Sequence, residues 1–355
     1  MGRKESTKGA IVIGWINKGK AADCGETMKN QLLVQRLEEL GVRCRQIDVK
    51  GWRKHPWIFI QLAWDMIVHH NDTIIFSSSA ANTYPMMKLM YRFGWKSKTV
   101  HWVIGGLFGE RVQKGFFNRK VVGIIDHTLV ESPLMKAQLE SCGIKGVKVV
   151  PNFKPISYYP SIEWKSSAPM NRALRFVFLS RIIPEKGCDY ILTATRLLNE
   201  KGFADKFCID FFGKIDVGYK DAFLAKVEQL DNVKYAGFLN LREQEGYDTL
   251  SQYDAMLFPT YWMGEGFAGI FIDAMISGVP LIASDWMHNK YILKEAETAM
   301  FIPVHDAQAL AIKMQECIDD KVDLAVMAHN CQQKAQCYDT KNVITRELLK
   351  ETNII

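Results

Sequence analysis

Apolar positions along the chain follow two rhythms that take turns. Short, mostly apolar runs with strand character alternate with longer stretches whose apolar residues return every three or four positions. Over the first 150 residues the predicted strands are Ala10–Gly14, Val42–Asp48, Thr73–Phe76, Thr99–Ile104, Thr128–Val130 and Val147–Val150. Between the first two, residues 26–40 bring Met28, Leu32, Leu33, Leu37 and Leu40 onto one helical face, and a Met-rich helix is expected around Pro85–Phe93. Pro151-Asn152 breaks the series. Residues 153–172 carry Pro155, Pro160 and Pro169, two serine clusters and no period, and read as a linker. The alternation then restarts, with strands at Leu174–Leu179, Phe207–Phe212, Val233–Ala236, Ala255–Phe258 and Val279–Ala283. Helices are expected at Gly187–Leu198, Gly269–Ile276, Ala307–Ile318 and Val322–Cys337.

Strand-then-helix repetition predicts the α/β class, with parallel sheets covered by helices on both faces. Two doubly wound, Rossmann-like domains are expected, 1–152 and 173–337, with a helix in 338–355 packing back on the first domain. In such sheets ligands bind at the carboxyl ends of the strands, which makes a cleft between two facing domains the default active site.

Composition narrows this further. At 355 residues, 48% hydrophobic and 24% charged, the chain is neither disordered nor fibrous. Its net charge of +6 is unevenly spread: residues 1–165 hold 25 Lys+Arg against 13 Asp+Glu (+12), and residues 166–355 hold 20 against 26 (−6). A basic half suggests an anionic partner for that half. The opening Met1-Gly2-Arg3-Lys4-Glu5 leads into an apolar run too short for a signal-peptide core, and no run approaches a membrane span. None of the eight cysteines forms a CxxC pair. A cytoplasmic protein without disulfides or bound metal is therefore expected.

Two segments carry chemistry. Ser180-Arg181-Ile182-Ile183-Pro184-Glu185-Lys186-Gly187 lies between a strand and a helix, where Arg181 and Lys186 can converge on one polyanion. A solvated loop is the plain alternative. Gly264-Glu265-Gly266-Phe267-Ala268-Gly269-Ile270 follows the strand Ala255–Phe258 and opens a helix, with Asp273 one turn inside it. Glycines there let a ligand approach the backbone, and the helix N-terminus favours a phosphate.

In combination and order these segments resemble the retaining GT-B glycosyltransferases of family 4. Arg181 and Lys186 match the family's basic pair, and Glu265 with Asp273 matches its Glu-x7-Glu element with Asp in second place. The stretch Ser277–Asp285, with Trp286 and Asn289 after it, is similar as well. The resemblance implies a GT-B fold and a hexosyltransferase that uses a nucleotide sugar, with retention and without metal or other cofactor; a UDP-linked hexose is the expected donor, although the sequence itself reveals neither base nor sugar. It implies that Arg181 and Lys186 neutralise the diphosphate, Glu265 contacts sugar hydroxyls and Asp273 the ribose. Backbone N–H groups of Phe267, Ala268, Gly269 and Ile270 would meet phosphate or sugar. Asp273 is one methylene short of the family's Glu, and Ala268 replaces a frequent Gly. In the first domain, Gly25 after the first strand would lie near the donor phosphate. His101 closes the strand from Thr99, where the family often has a His beside the reacting sugar. No general base is assigned: Glu131 and Asp126 both stay open.

Basic and aromatic residues share three clusters: Trp52, Arg53, Lys54, His55 and Trp57; Met90 to Lys98; and Arg111 to Lys120. They suit an anionic membrane surface, and no nucleic-acid motif accompanies them. The expected partners are a nucleotide-sugar donor and a saccharide or lipid-linked acceptor, as in capsule or lipopolysaccharide assembly, at the inner face of a membrane. Two alternatives remain: a non-catalytic glycosyltransferase partner subunit, and a GT-B sugar phosphorylase or epimerase.

Overall fold

A computed structural model describes residues 9–22, 24–51, 57–165 and 172–355. Trp52, Arg53, Lys54 and His55 of the first basic cluster lie outside these residues, as do Met1-Gly2-Arg3-Lys4-Glu5 and part of the expected linker. The chain divides into two compact units, unit 1 (Met1–Pro155 with Tyr338–Ile355) and unit 2 (Ile156–Cys337).

Unit 1 is built on a six-stranded sheet of β1 (Gly9–Gly14), β2 (Arg43–Asp48), β3 (Thr73–Ser78), β4 (Thr99–Val103), β5 (His127–Val130) and β6 (Val147–Val149). Their order is β2-β1-β3-β4-β5-β6 and every pairing is parallel. All six residues of β1 are buried, as a central strand covered on both faces requires. The connecting helices are α1 (Gly25–Glu39), α2 (Ile58–Val68), α3 (Ala80–Phe93), α4 (Phe108–Gln113), α5 (Arg119–Val122) and α6 (Pro133–Ser141). Right-handed crossovers send α1 to one face and α2 and α3 to the other. Accordingly, Leu33 and Leu37 of α1 share a core with Ala10 and Val12, whereas Leu62 and Met66 of α2 and Met86, Met87 and Met90 of α3 share one with Ile11 and Ile13.

Unit 2 has β7 (Leu174–Leu179), β8 (Phe207–Phe212), β9 (Val233–Gly237), β10 (Ala255–Phe258), β11 (Leu281–Ser284) and β12 (Ala299–Ile302). The order β12-β11-β10-β7-β8-β9 is again wholly parallel. Its helices are α7 (Cys188–Glu200), α8 (Lys220–Val227), α9 (Gln244–Ser251), α10 (Gly269–Ile276), α11 (Asn289–Ile292), α12 (Ala307–Ile318) and α13 (Leu324–Ala335). The chain then rejoins unit 1 through α14 (Thr340–Val343) and α15 (Arg346–Glu351), which place Val343, Ile344, Leu349 and Ile354 in the core beneath α1.

Part of the stretch expected to link the domains, residues 156–165, packs within unit 2. Residues from Ile156 onward belong to unit 2, where Ile162 is buried and the Lys165 ammonium donates to the carbonyls of Tyr253 and Gly278, both at 2.7 Å. Burial lowers the pKa of that ammonium to about 8. Among the described residues no helix is long and apolar enough to cross a membrane.

Candidate active site

In unit 2 the chain leaves β7 and goes to one side, through β8 to β9, and leaves β10 to the other, through β11 to β12. The loops after β7 and β10 therefore flank the point where the strand order reverses, the place where doubly wound sheets open a crevice. Both chemistry-bearing segments of the sequence are these loops.

The β7 loop turns sharply. After Ile183 in extended backbone, Pro184–Lys186 form a single 3-10 turn, and Gly187 at φ +81° carries the chain into α7. A Cβ at Gly187 would stand 2.2 Å from the carbonyl oxygen of Pro259, so the glycine lets the two loops touch. Tyr261 N–H donates to the Glu185 carbonyl at 2.8 Å and locks the contact. This turn splits the two cations. Arg181 is exposed and stacks its guanidinium 5.3 Å from the Trp262 ring. Lys186 is turned inward and forms a buried ion pair with Glu265, each residue less than a tenth exposed. The Thr260 hydroxyl donates to the same carboxylate oxygen at 3.1 Å, and the ammonium lies 5.3 Å over the Phe258 ring. A charge taken out of water needs such company.

The loop after β11 braces this arrangement. Ser284 Oγ donates to the Thr260 carbonyl, Trp286 Nε1 to the Trp262 carbonyl at 2.9 Å, and Asn289 Nδ2 to the Ser284 carbonyl at 2.9 Å. Next along the chain, Phe267 is buried, while Ala268, Gly269 and Ile270 are half-buried at the start of α10. No side chain caps this helix, since Ala268 holds the N-cap position. Asp273, on the first turns of α10, is buried and accepts from Tyr247 OH at 2.9 Å. Burial first, and then this carboxylate, raise the pKa of the tyrosine, which keeps its proton and stays a donor.

Unit 1 holds the other expected residues. Gly25 is exposed as the first residue of α1, with open space where a Cβ would go, so the packing of the chain does not itself require glycine there. His101 departs from expectation. β4 runs on to Val103, close to the expected strand Thr99–Ile104, because Trp102 and Val103 pair with Ser77 and Ser78 of β3; His101 is therefore mid-strand and does not close it. Its ring is fully buried against Phe108, 3.3 Å from the Thr83 hydroxyl, and burial lowers its pKa to about 4. Asp126 binds the Thr99 N–H at 2.8 Å at the amino end of β4, away from the ligand-binding ends of the strands. Glu131 follows β5 at the carboxyl end but is buried in an ion pair with Lys29 at 2.6 Å. Thr260, Trp262 and Tyr247 were not anticipated. Only their contacts across the fold mark them, and nothing in their immediate sequence does.

Residues 173–320 match the family model of the glycosyl transferases group 1. The chain is 24% identical over 183 residues to the amylovoran biosynthesis glycosyltransferase AmsK of Erwinia amylovora, an alignment that covers 50% of this chain and 44% of that one. It is 21% identical over 181 residues to the capsular polysaccharide biosynthesis glycosyltransferase CapM of Staphylococcus aureus, covering 48% and 43%. The chain thus spans less than half the length of these curated relatives. Among solved structures, Anabaena Alr3699/HepE in complex with UDP superposes with a TM-score of 0.70 at 14% identity, over 98% of this chain and 99% of that one. The same protein has also been solved with UDP-glucose. This likeness shows the fold: two six-stranded parallel sheets with helices, the α/β architecture of GT-B glycosyltransferases.

Proposed function

We propose that the protein is a retaining glycosyltransferase of family 4 that moves a hexose from a UDP-sugar to a saccharide or lipid-linked acceptor, without a metal ion. The observation that carries this reading is the Lys186–Glu265 pair, buried between the two loops of the switch point with Arg181 exposed beside it. Two cations at the carboxyl ends of parallel strands suit a departing diphosphate, and stabilisation of a leaving group acts in the transition state. Glu265, held by Lys186 and Thr260, has a second carboxylate oxygen to offer a sugar hydroxyl. The uncapped start of α10, from Phe267 to Ile270, suits a phosphate, and Asp273 with Tyr247 suits a ribose. No catalytic step is assigned to the buried, neutral His101. In a front-face mechanism the departing phosphate oxygen helps deprotonate the acceptor, which needs no carboxylate base from the protein.

The relatives named above act in polysaccharide biosynthesis, which supports a glycan or glycolipid acceptor. The basic first half supports a contact with an anionic membrane surface. Calorimetric titration with UDP, GDP and ADP tests the donor, and UDP should bind most tightly. Arg181→Ala should cut turnover strongly while its thermal midpoint stays at the wild-type value, because the side chain is exposed. EDTA should leave turnover intact. Absence of any nucleotide binding would favour the partner-subunit reading. Dependence on free phosphate, or an epimerised donor, would favour the phosphorylase or epimerase.

A further inference from the structure

Helix α2 is built inside out. Its one charged residue, Asp65, is buried, with a carboxylate oxygen 3.8 Å from the Arg45 guanidinium. Its inward side is otherwise Leu62 and Met66, which pack on the sheet. Facing solvent are Ile60 (74% exposed), Trp64 (65%) and Ile67 (60%), with Trp57 (60%) just before the helix. A helix made only to cover a sheet shows water its polar side; this one shows a strip of large apolar side chains two turns long. A contiguous apolar face of this kind marks a docking surface.

The neighbourhood says what docks. α3 packs beside α2 over the same face of the sheet, and its outward side bears Lys88, Arg92 and the exposed Phe93, followed by Lys96 and Lys98. α5, packed against α3, adds Arg119 and Lys120. Between residues 57 and 124 only Asp65, Asp72 and Glu110 are acidic. The first two are buried and the third pairs with Lys114. An apolar strip bordered by cations, without an exposed carboxylate among these residues, is complementary to a surface that is anionic outside and apolar beneath. We propose that the outer side of α2 lies in the interface of an anionic lipid layer, with the cations of α3 on its phosphates. At 11 residues, about 16 Å of helix, α2 is too short to cross a bilayer and lies in its plane. Trp57 and Trp64 then sit at headgroup level, the depth indoles prefer. A second copy of the chain is the poorer occupant, since a two-fold contact through this face would set cationic α3 near its own copy.

This inference rests on the membrane contact proposed above and assigns it to one element. The test is co-sedimentation of the full chain with vesicles of phosphatidylcholine, alone and mixed with phosphatidylglycerol. The wild type should sediment with the mixed vesicles and less as salt rises. Ile60→Ser/Trp64→Ser/Ile67→Ser should lower the partition coefficient by about tenfold or more, with thermal midpoint and affinity for UDP unchanged. Lys88→Ser/Arg92→Ser/Lys96→Ser should weaken binding and flatten its salt dependence. If the wild type ignores mixed vesicles, both the membrane contact and the role of α2 fall. If it binds and the apolar variant binds equally well, the role of α2 alone falls. A concentration-dependent dimer in the ultracentrifuge, abolished by the apolar variant, would give the face to a second copy and overturn the inference. Failure of UDP to bind, with lipid binding intact, would touch only the donor reading.

Discussion

Replacing Lys186 with methionine separates the structural from the chemical duty of the buried pair. Lys186 is 6% and Glu265 7% exposed, so removing the ammonium leaves a carboxylate out of water with the Thr260 hydroxyl still donating to it. An exposed pair would be worth under about 1 kcal/mol, but stripping one partner from a buried pair costs about 3–5 kcal/mol. In a unit the size of 156–337 that lowers the melting midpoint by on the order of 10 °C. The double variant Lys186→Met/Glu265→Leu removes both charges. Thr260 keeps the Glu185 carbonyl, 3.3 Å away, as an acceptor, so most of the lost stability should return. Scanning calorimetry of the full chain, paired with UDP titration and donor turnover, reads both duties. The single variant should melt early, and the double variant should melt near wild type yet neither hold the diphosphate well nor turn over. A midpoint for Lys186→Met within about 2 °C of wild type would show that water reaches the pair and would refute the energetic reasoning. A double variant with wild-type turnover would refute its part in catalysis.

Three further outcomes follow from the geometry. Gly187→Ala places a methyl against the Pro259 carbonyl in a left-handed backbone, and should cost about 3 kcal/mol in urea unfolding. His101 falls from its ordinary 6.5 to about 4, so between those values the unfolded chain takes up a proton that the folded chain refuses. That contribution is whole above pH 6.5 and drains by up to about 3 kcal/mol as pH falls through the window, so urea unfolding of His101→Leu should show a shallower decline between pH 7 and 4.5. Asp273→Ala should weaken UDP more than 2′,3′-dideoxy-UDP in calorimetry; equal losses would remove Asp273 from the ribose.

Much of this was legible in sequence, for reasons that differ by element. Central strands such as β1, buried on both faces, read as apolar runs, and the two loops of the candidate site read clearly because each carries its chemistry within a few residues. What the two loops do to one another was not legible. Lys186 and Glu265 meet across 79 positions, and only the close approach at Gly187 shows that the basic pair is split, one cation inward and one outward. Tyr247 reaches Asp273 from α9, whose eight polar-rich residues gave no helical period to read. β12, the short run Ala299–Ile302, was not read as a strand. α6 could have been found, since Ser132 caps it ahead of Pro133 in its first turn. α2 defeated the rule itself. Periodicity locates the apolar side of a helix, but whether that side faces core or solvent is set by what covers it.

The return of the chain to unit 1 has a consequence for how the protein is made. Unit 2 is one continuous stretch, so it holds all of its own sheet once Cys337 has emerged from the ribosome. Unit 1 is begun first and completed after it. Until Val343, Ile344, Leu349 and Ile354 arrive, the core that α1 shares with β1 lacks part of its cover, and the bonds from Arg36 to the Ile344 carbonyl and from Thr73 to the Asn353 carbonyl have no acceptor. During synthesis the amino-terminal half therefore waits, incompletely covered, while the half translated after it can fold. A nascent chain stalled after Cys337 should present a folded unit 2 and a unit 1 open to chaperones and proteases.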